Sequence, residues 1–156
     1  MKRVLVLSDT HHNISNIEKT ALIAGPFDNA VHLGDCTEDA RAVEEILHIA
    51  CASVRGNCDN DHSVPEEIIL EFEGVRILCL HGHRAHENYL LQLKAEQTHC
   101  KAVLFGHTHT PVMETAGQIC IINPGSLSKP RYGSAAGFCV LYIENGKMFV
   151  KHFTLD

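Results

Sequence analysis

Hydrophobic runs in the first half of the chain are short and end abruptly in polar residues. Val4–Leu7 is wholly apolar and stops at Ser8-Asp9, the pattern of a strand buried on both faces. Ile17, Ala21, Leu22 and Ile23 follow at helical spacing, with Ser15 placed to cap that helix and Gly25-Pro26 to stop it. A second short strand, "AVHLGD" (Ala30–Asp35), precedes a second helix with apolar positions Ala42, Val43, Ile46, Leu47 and Ile49. "CASVRGN" then reads as a third strand. Strand and helix in alternation predict parallel pairing through right-handed crossovers.

The second half changes period. "EEIILEFEGVRILCLHGH" is a hairpin pattern turning at Glu73-Gly74. A helix through Tyr89, Leu90, Leu91 and Leu93 leads to a strand at Ala102–Phe105. "PVMETAGQICIIN" and "FCVLYIENGKMFVKHFTL" each fold back at a glycine-containing pair, and Asn145-Gly146 is the strongest of these turn signals. No linker, repeat or low-complexity segment interrupts the pattern. The prediction is one α/β domain over residues 1–156, built on a mixed sheet or on two stacked sheets.

Composition narrows the classes. Hydrophobic residues make up 45% and charged residues 21%, an ordinary globular balance. The net charge of -6 argues against nucleic acid as a partner, because phosphate-backbone binding needs a basic face. No apolar run approaches the ~18 residues of a membrane span, and the run after Met1-Lys2-Arg3 is too short for a secretory signal. A cytoplasmic protein is expected, with homo-oligomerisation left open. The 7 cysteines show no CxxC spacing and lie mostly beside apolar residues, so reduced, buried, strand-lining thiols are expected. The 12 histidines are the unusual number.

Their placement gives them meaning. Successive strands end in "SDTHH", "GDC", "GNCD", "HGH" and "GHTH". Each fragment alone is weak: "DTH" reads as readily as a turn and helix cap, and "GD" is nearly uninformative. Together they put Asp, Asn or His at five strand ends, where loops of open α/β sheets converge on ligands. Asp9, His11, Asp35, Asn57, His81, His107 and His109 form a set of oxygen and nitrogen donors without a thiolate. Such a set suits Mn, Fe, Ni or Zn. Seven donors are too many for one ion with an open position and right for two ions that share a carboxylate. Paired ions lower the pKa of bound water and stabilise charge in an in-line displacement.

The ordered set "DTH", "GD", "GNCD", "HGH", "GHTH" resembles the calcineurin-like metallophosphoesterase superfamily. "INPGS" and the short length are similar to its small YfcE-type phosphodiesterase branch. The resemblance implies a four-layer αββα sandwich with a dinuclear site at its edge. It implies Asp9, His11, Asp35 and His109 on one ion, and Asp35, Asn57, His81 and His107 on the other, with Asp35 bridging. The residues placed at the chemistry are then Asp35, Asn57, Cys58, Asp59 and His81. The implied reaction is hydrolysis of a phosphate ester by a hydroxide bridging two divalent ions, Mn favoured, with Ni, Fe or Zn as alternatives.

The sequence also departs from the superfamily. Many members carry "GNHD", whose histidine protonates the leaving oxygen; this chain has Cys58 there, a poor donor with an ordinary pKa of ~8.5. Asp59 matches the position that orients the missing histidine, and its expected role shrinks to holding the turn. His12 replaces a common glycine. A phosphodiesterase acting on small phosphate esters is therefore favoured. A phosphomonoesterase is one alternative. The other is a non-enzymatic protein-binding scaffold of the same fold, as the retromer subunit is understood to be. His83, Arg84 and His86 are expected in a loop, Lys129 and Arg131 in an exposed basic loop. His32, His48, His62, His99 and His152 have no evident partners.

Overall fold

Along the first strand, successive side chains enter two different cores. The computed structural model describes residues 1–156, and in β1 (Lys2–Leu7) Val4 and Val6 join one buried cluster while Leu5 and Leu7 join another. That division is the two-residue period of a strand covered on both faces, and it explains why the run is apolar without alternation.

The remaining elements follow the predicted order: α1 (Ser15–Ala24), β2 (Asn29–His32), α2 (Glu38–Leu47), β3 (Ala50–Ser53), β4 (Glu67–Phe72) and β5 (Val75–Leu80). Then come α3 (Asn88–Gln97), β6 (Ala102–Leu104), β7 (Val112–Ala116), β8 (Ile119–Asn123), β9 (Gly137–Glu144) and β10 (Lys147–Thr154). The strands form two mixed five-stranded sheets, ordered β10-β9-β1-β2-β3 and β4-β5-β6-β8-β7. β1, β2 and β3 are parallel, as are β5, β6 and β8, and the hairpins add antiparallel strands outside them.

Three clusters define four layers. Val4, Val6, Val31 and Leu33 from the first sheet pack on Ile77, Cys79, Ala102 and Leu104 from the second. The outer face of the first sheet buries Leu5, Leu7, Phe138 and Val140 against Ile17 and Ala24 of α1 and Val43 of α2. The outer face of the second buries Leu78, Leu80 and Val103 against Leu91 and Ala95 of α3. The αββα sandwich is therefore the observed fold, with two stacked sheets. A fully buried Leu or Val contributes about 1.5–3 kcal/mol, so these clusters can hold strained loops at one end. No helix is long and apolar enough to cross a membrane.

Local expectations fail in three places. Ser15 does not cap α1: it is the first helical residue, and its hydroxyl donates to Asn13 Oδ1 at 2.8 Å. Leu22 and Ile23 are 86% and 42% exposed, because α1 buries the stripe Ile17, Thr20 and Ala24, from which Leu22 points away. The cysteines are all free, but Cys36, Cys58 and Cys100 lie in loops rather than on strands, and Cys58 is exposed.

Candidate metal centre

The parallel strands of both sheets direct their carboxyl ends to one seam. β1, β2 and β3 deliver Asp9 and His11, Asp35, and Asn57; β5 and β6 deliver His81 and His107 with His109. Asp9, His11, Asp35, His107 and His109 all adopt positive φ, between 47° and 65°. Left-handed backbone costs a non-glycine residue about 1–3 kcal/mol and concentrates at functional sites. Asp and His tolerate it better than branched residues. Glycine is required where loops cross: a Cβ at Gly106 would collide with Ser8 Oγ, and one at Gly56 with Asp35 Oδ1.

Asp9 is fully buried and its two oxygens are treated differently. Oδ2 accepts from Ser8 Oγ at 2.6 Å and from the His107 amide at 3.1 Å. Oδ1 is buried without a hydrogen bond, facing His109 Nε2 at 3.1 Å, His81 Nε2 at 3.9 Å and His11 Nε2 at 4.0 Å. His11 Nε2 is likewise buried and unpartnered. Asp35 turns one oxygen to each side: Oδ1 is 3.4 Å from His81 Nε2 and accepts the Cys58 amide at 3.0 Å, while Oδ2 is 3.9 Å from His11 Nε2. Donor atoms of Asp9, His11, Asp35 and His109 all lie within 4.8 Å of one another. Beside them, Asn57 Oδ1 is 3.1 Å from His81 Nε2, and the His107 ring is 5.1 Å from the His81 ring. The fold thus brings all seven predicted donors together.

The imidazoles are aimed from behind. His81 Nδ1 bonds the Leu33 carbonyl at 2.7 Å and His109 Nδ1 bonds the Lys129 carbonyl at 2.6 Å. A carbonyl fixes the proton on Nδ1 and leaves the Nε2 lone pair for a cation. Burial pushes His11 and His107 below the usual imidazole range, against the pull of Asp35 and Asp9, so both favour the neutral form. Burial also opposes charge on Asp35 and His81. The close approach of the two across 3.4 Å and the Cys58 amide nevertheless hold Asp35 well below the usual carboxylate range, and Asp35 with Asp9 draws His81 above its ordinary value. Two buried carboxylates, converging lone pairs and orphaned buried atoms fit divalent cations.

Asp59 has a different position from a catalytic carboxylate. Its oxygens accept four backbone amides: Asp35 at 2.9 Å, Cys36 at 2.7 Å, Thr37 at 2.8 Å and Gly56 at 2.7 Å. It clamps the Asp35 loop to the Asn57 loop. Cys58 is exposed at the rim, and burial together with Asp35 raises its thiol pKa.

Other supports carried little signal in the sequence. Asn123, at the end of β8, donates to the Gly106 carbonyl at 2.9 Å and Thr108 Oγ1 at 3.0 Å. Ser126 Oγ donates to the Asp9 carbonyl at 2.8 Å, and Ser128 Oγ to the Thr10 carbonyl at 2.6 Å, so "INPGS" braces both histidine loops. His32 is fully buried with partners: it accepts from the Gly34 amide at Nδ1, leaving Nε2–H for Thr10 Oγ1 at 2.9 Å, and Thr10 donates to Asp39 Oδ2 at 2.5 Å. Glu66 pairs Arg84 with both oxygens and also holds Arg55, joining loops of the two sheets. Lys129 and Arg131 are exposed, while His83 is part-buried with its ring 5.6 Å from His81.

The calcineurin-like phosphoesterase superfamily domain matches residues 1–146. The chain belongs to that superfamily. A probable metallophosphoesterase of Mycoplasma pneumoniae is 32% identical over 166 aligned residues, covering 100% of both chains. The phosphodiesterase YfcE of Escherichia coli K12 is 33% identical over 113 residues, 65% of this chain and 57% of that one. Among solved structures, a predicted phosphoesterase of Streptococcus pneumoniae is 27% identical with TM-score 0.81, covering 99% of this chain and 90% of that one. Vps29 of Entamoeba histolytica complexed with zinc shares the fold at 17% identity, TM-score 0.77, covering 99% of each chain.

Proposed function

We propose that the chain is a dinuclear-metal-dependent phosphodiesterase. Asp9, His11, Asp35 and His109 would hold one divalent ion, and Asp35, Asn57, His81 and His107 the other. The observation that carries this is the split of Asp35, whose Oδ1 faces His81 and Oδ2 faces His11. When bound, the ions activate water at neutral pH and polarise the phosphoryl oxygen. The protein's own part is to hold donors on strained, braced loops so that they need not reorganise. His81 and His109 keep their protons on the carbonyl side, and Asp35 remains ionised. Mn is the favoured ion, with Ni, Fe or Zn as alternatives.

The preference for diesters rests on position 58. Cys58 is exposed beside Asp35 and is a poor acid, so a departing oxygen receives little help and monoesters with poor leaving groups suffer most. The YfcE name of one relative agrees with that direction. Seven converging donors favour an enzyme, and because Vps29 of the same fold is found complexed with zinc, hydrolysis rather than metal binding discriminates the scaffold alternative. The test is hydrolysis of diesters and monoesters by the chelated protein refilled with Mn, Ni, Zn or Mg. Preferential diester hydrolysis with Mn or Ni is expected. No hydrolysis with two ions bound would favour the scaffold.

A further inference from the structure

Beside the centre lies a second group of donors that shares no residue with it. His12, Cys36 and Asp39 bring a ring nitrogen, Sγ and a carboxylate oxygen within 4.8 Å of one another. His12 directly follows His11, Cys36 directly follows Asp35, and Asp39 lies in the first turn of α2. Cys36 and Asp39 are buried, whereas His12 is exposed. We propose that these three residues form a further binding site for a single thiophilic divalent ion of the zinc class.

Geometry favours an ion over a simple hydrogen-bonded cluster. Two donors each about 2 Å from a tetrahedral ion stand roughly 3.4 Å apart, and His12 Nδ1 lies 3.7 Å from Asp39 Oδ1. The two oxygens of Asp39 have different partners. Oδ2 already accepts Thr10 Oγ1 at 2.5 Å and the His12 amide at 2.9 Å, which leaves Oδ1 for the ion. Charge balances as well: a thiolate and a carboxylate neutralise one divalent cation, with neutral imidazole as the third ligand. On binding, the Cys36 S–H bond is replaced by a sulfur–metal bond and the proton leaves to solvent; nothing is oxidised or reduced. The fourth position opens on the His12 side, where solvent can supply a ligand.

The two sites differ in chemical preference. Mn is the ion favoured above for the thiolate-free centre, whereas sulfur selects Zn and Co over that harder ion. Asp39 also holds Thr10 and the His12 amide, and both flank His11. An excess of zinc would therefore act on this protein in a way that manganese does not.

Cobalt is the probe, because thiolate ligation gives it a charge-transfer absorption that nitrogen and oxygen donors lack. The full chain is first loaded with Mn and then titrated with Co. A thiolate–cobalt band saturating at one equivalent is expected in the wild type and in Cys58→Ser, which removes the exposed thiol. The band should vanish in Cys36→Ser, and in His12→Gln the cobalt affinity should fall at least tenfold. His12 is exposed, so its replacement leaves folding intact and decides the matter even if Cys36→Ser does not fold. Absence of the band in the folded wild type, its survival in Cys36→Ser, or an unchanged affinity in His12→Gln would overturn the proposal.

Discussion

His109 Nε2 lies 3.1 Å from Asp9 Oδ1, although Asp9 follows β1 of one sheet and His109 follows β6 of the other. The centre is therefore a seam, and whatever holds the two sheets in register also sets its geometry. Around that contact Asp9 Oδ1 and His11 Nε2 are buried without hydrogen bonds. Leaving buried polar atoms unpaired costs about 1–3 kcal/mol each, a penalty that bound cations would relieve.

Asp35→Ala should abolish hydrolysis and lower occupancy of both ions, while the sheets still form. Asp35 turns one oxygen to each side, which places its charge to offset repulsion between two cations in the proposed arrangement. Metal content by mass spectrometry checks it. Two ions retained at full occupancy would contradict the bridging assignment.

Asp59→Ala removes a clamp rather than an acid. Four amides lose their acceptor, and a destabilisation of about 2–4 kcal/mol is expected. For a chain of this size that lowers the melting temperature by roughly 5–15 °C. Calorimetry measures this directly, and an unchanged melting temperature would show that the clamp carries no weight.

Glu66 gives the acid limb of stability a specific cause. Hydrogen bonds from Arg84 and Arg55 hold its carboxyl down at about 2, against an ordinary 4.5. Because the folded pKa is depressed, its stabilisation is present above about 4.5 and is lost as pH falls from there through about 2. Melting temperature measured from pH 6 down to 2.5 should fall less steeply in Glu66→Gln than in the wild type. Parallel profiles would refute the assignment.

Cys58 sets how strongly the rate depends on the leaving group. Without a good acid, log kcat/KM should fall steeply as leaving-group pKa rises from nitrophenyl to alkyl esters. Cys58→His supplies an imidazole and should flatten that slope. General-acid help is worth about 10²–10⁴-fold, but Asp59 is fully engaged with backbone amides and cannot orient the new ring. A gain of about tenfold on alkyl esters is therefore expected. Equal slopes would show that position 58 supplies no proton in either protein.

Periodicity revealed the elements because the strands are buried on both faces and the turns carry glycine. It did not reveal which apolar residues of α1 face the core: Leu22 fits a helical spacing yet is exposed, since the stripe is set by Thr20 as much as by Ile17. The seven residues that converge at the seam stand out in the sequence because each lies just beyond a strand. Their supports do not. Thr10, Asp39 and Asn123 are ordinary residues whose partners are distant in sequence, and His32 gains its partners only when the "SDTHH" loop folds over β2. Asp59 has the residue type of an orienting carboxylate, and only its four amide contacts reveal the clamp.

The rate of diester hydrolysis as Mn is returned to the verified metal-free chain decides whether two ions drive the reaction. A two-ion requirement means no hydrolysis without metal, and a rate that rises until two equivalents are bound and then levels. Undiminished hydrolysis by the metal-free chain, or full activity at one equivalent, would contradict it.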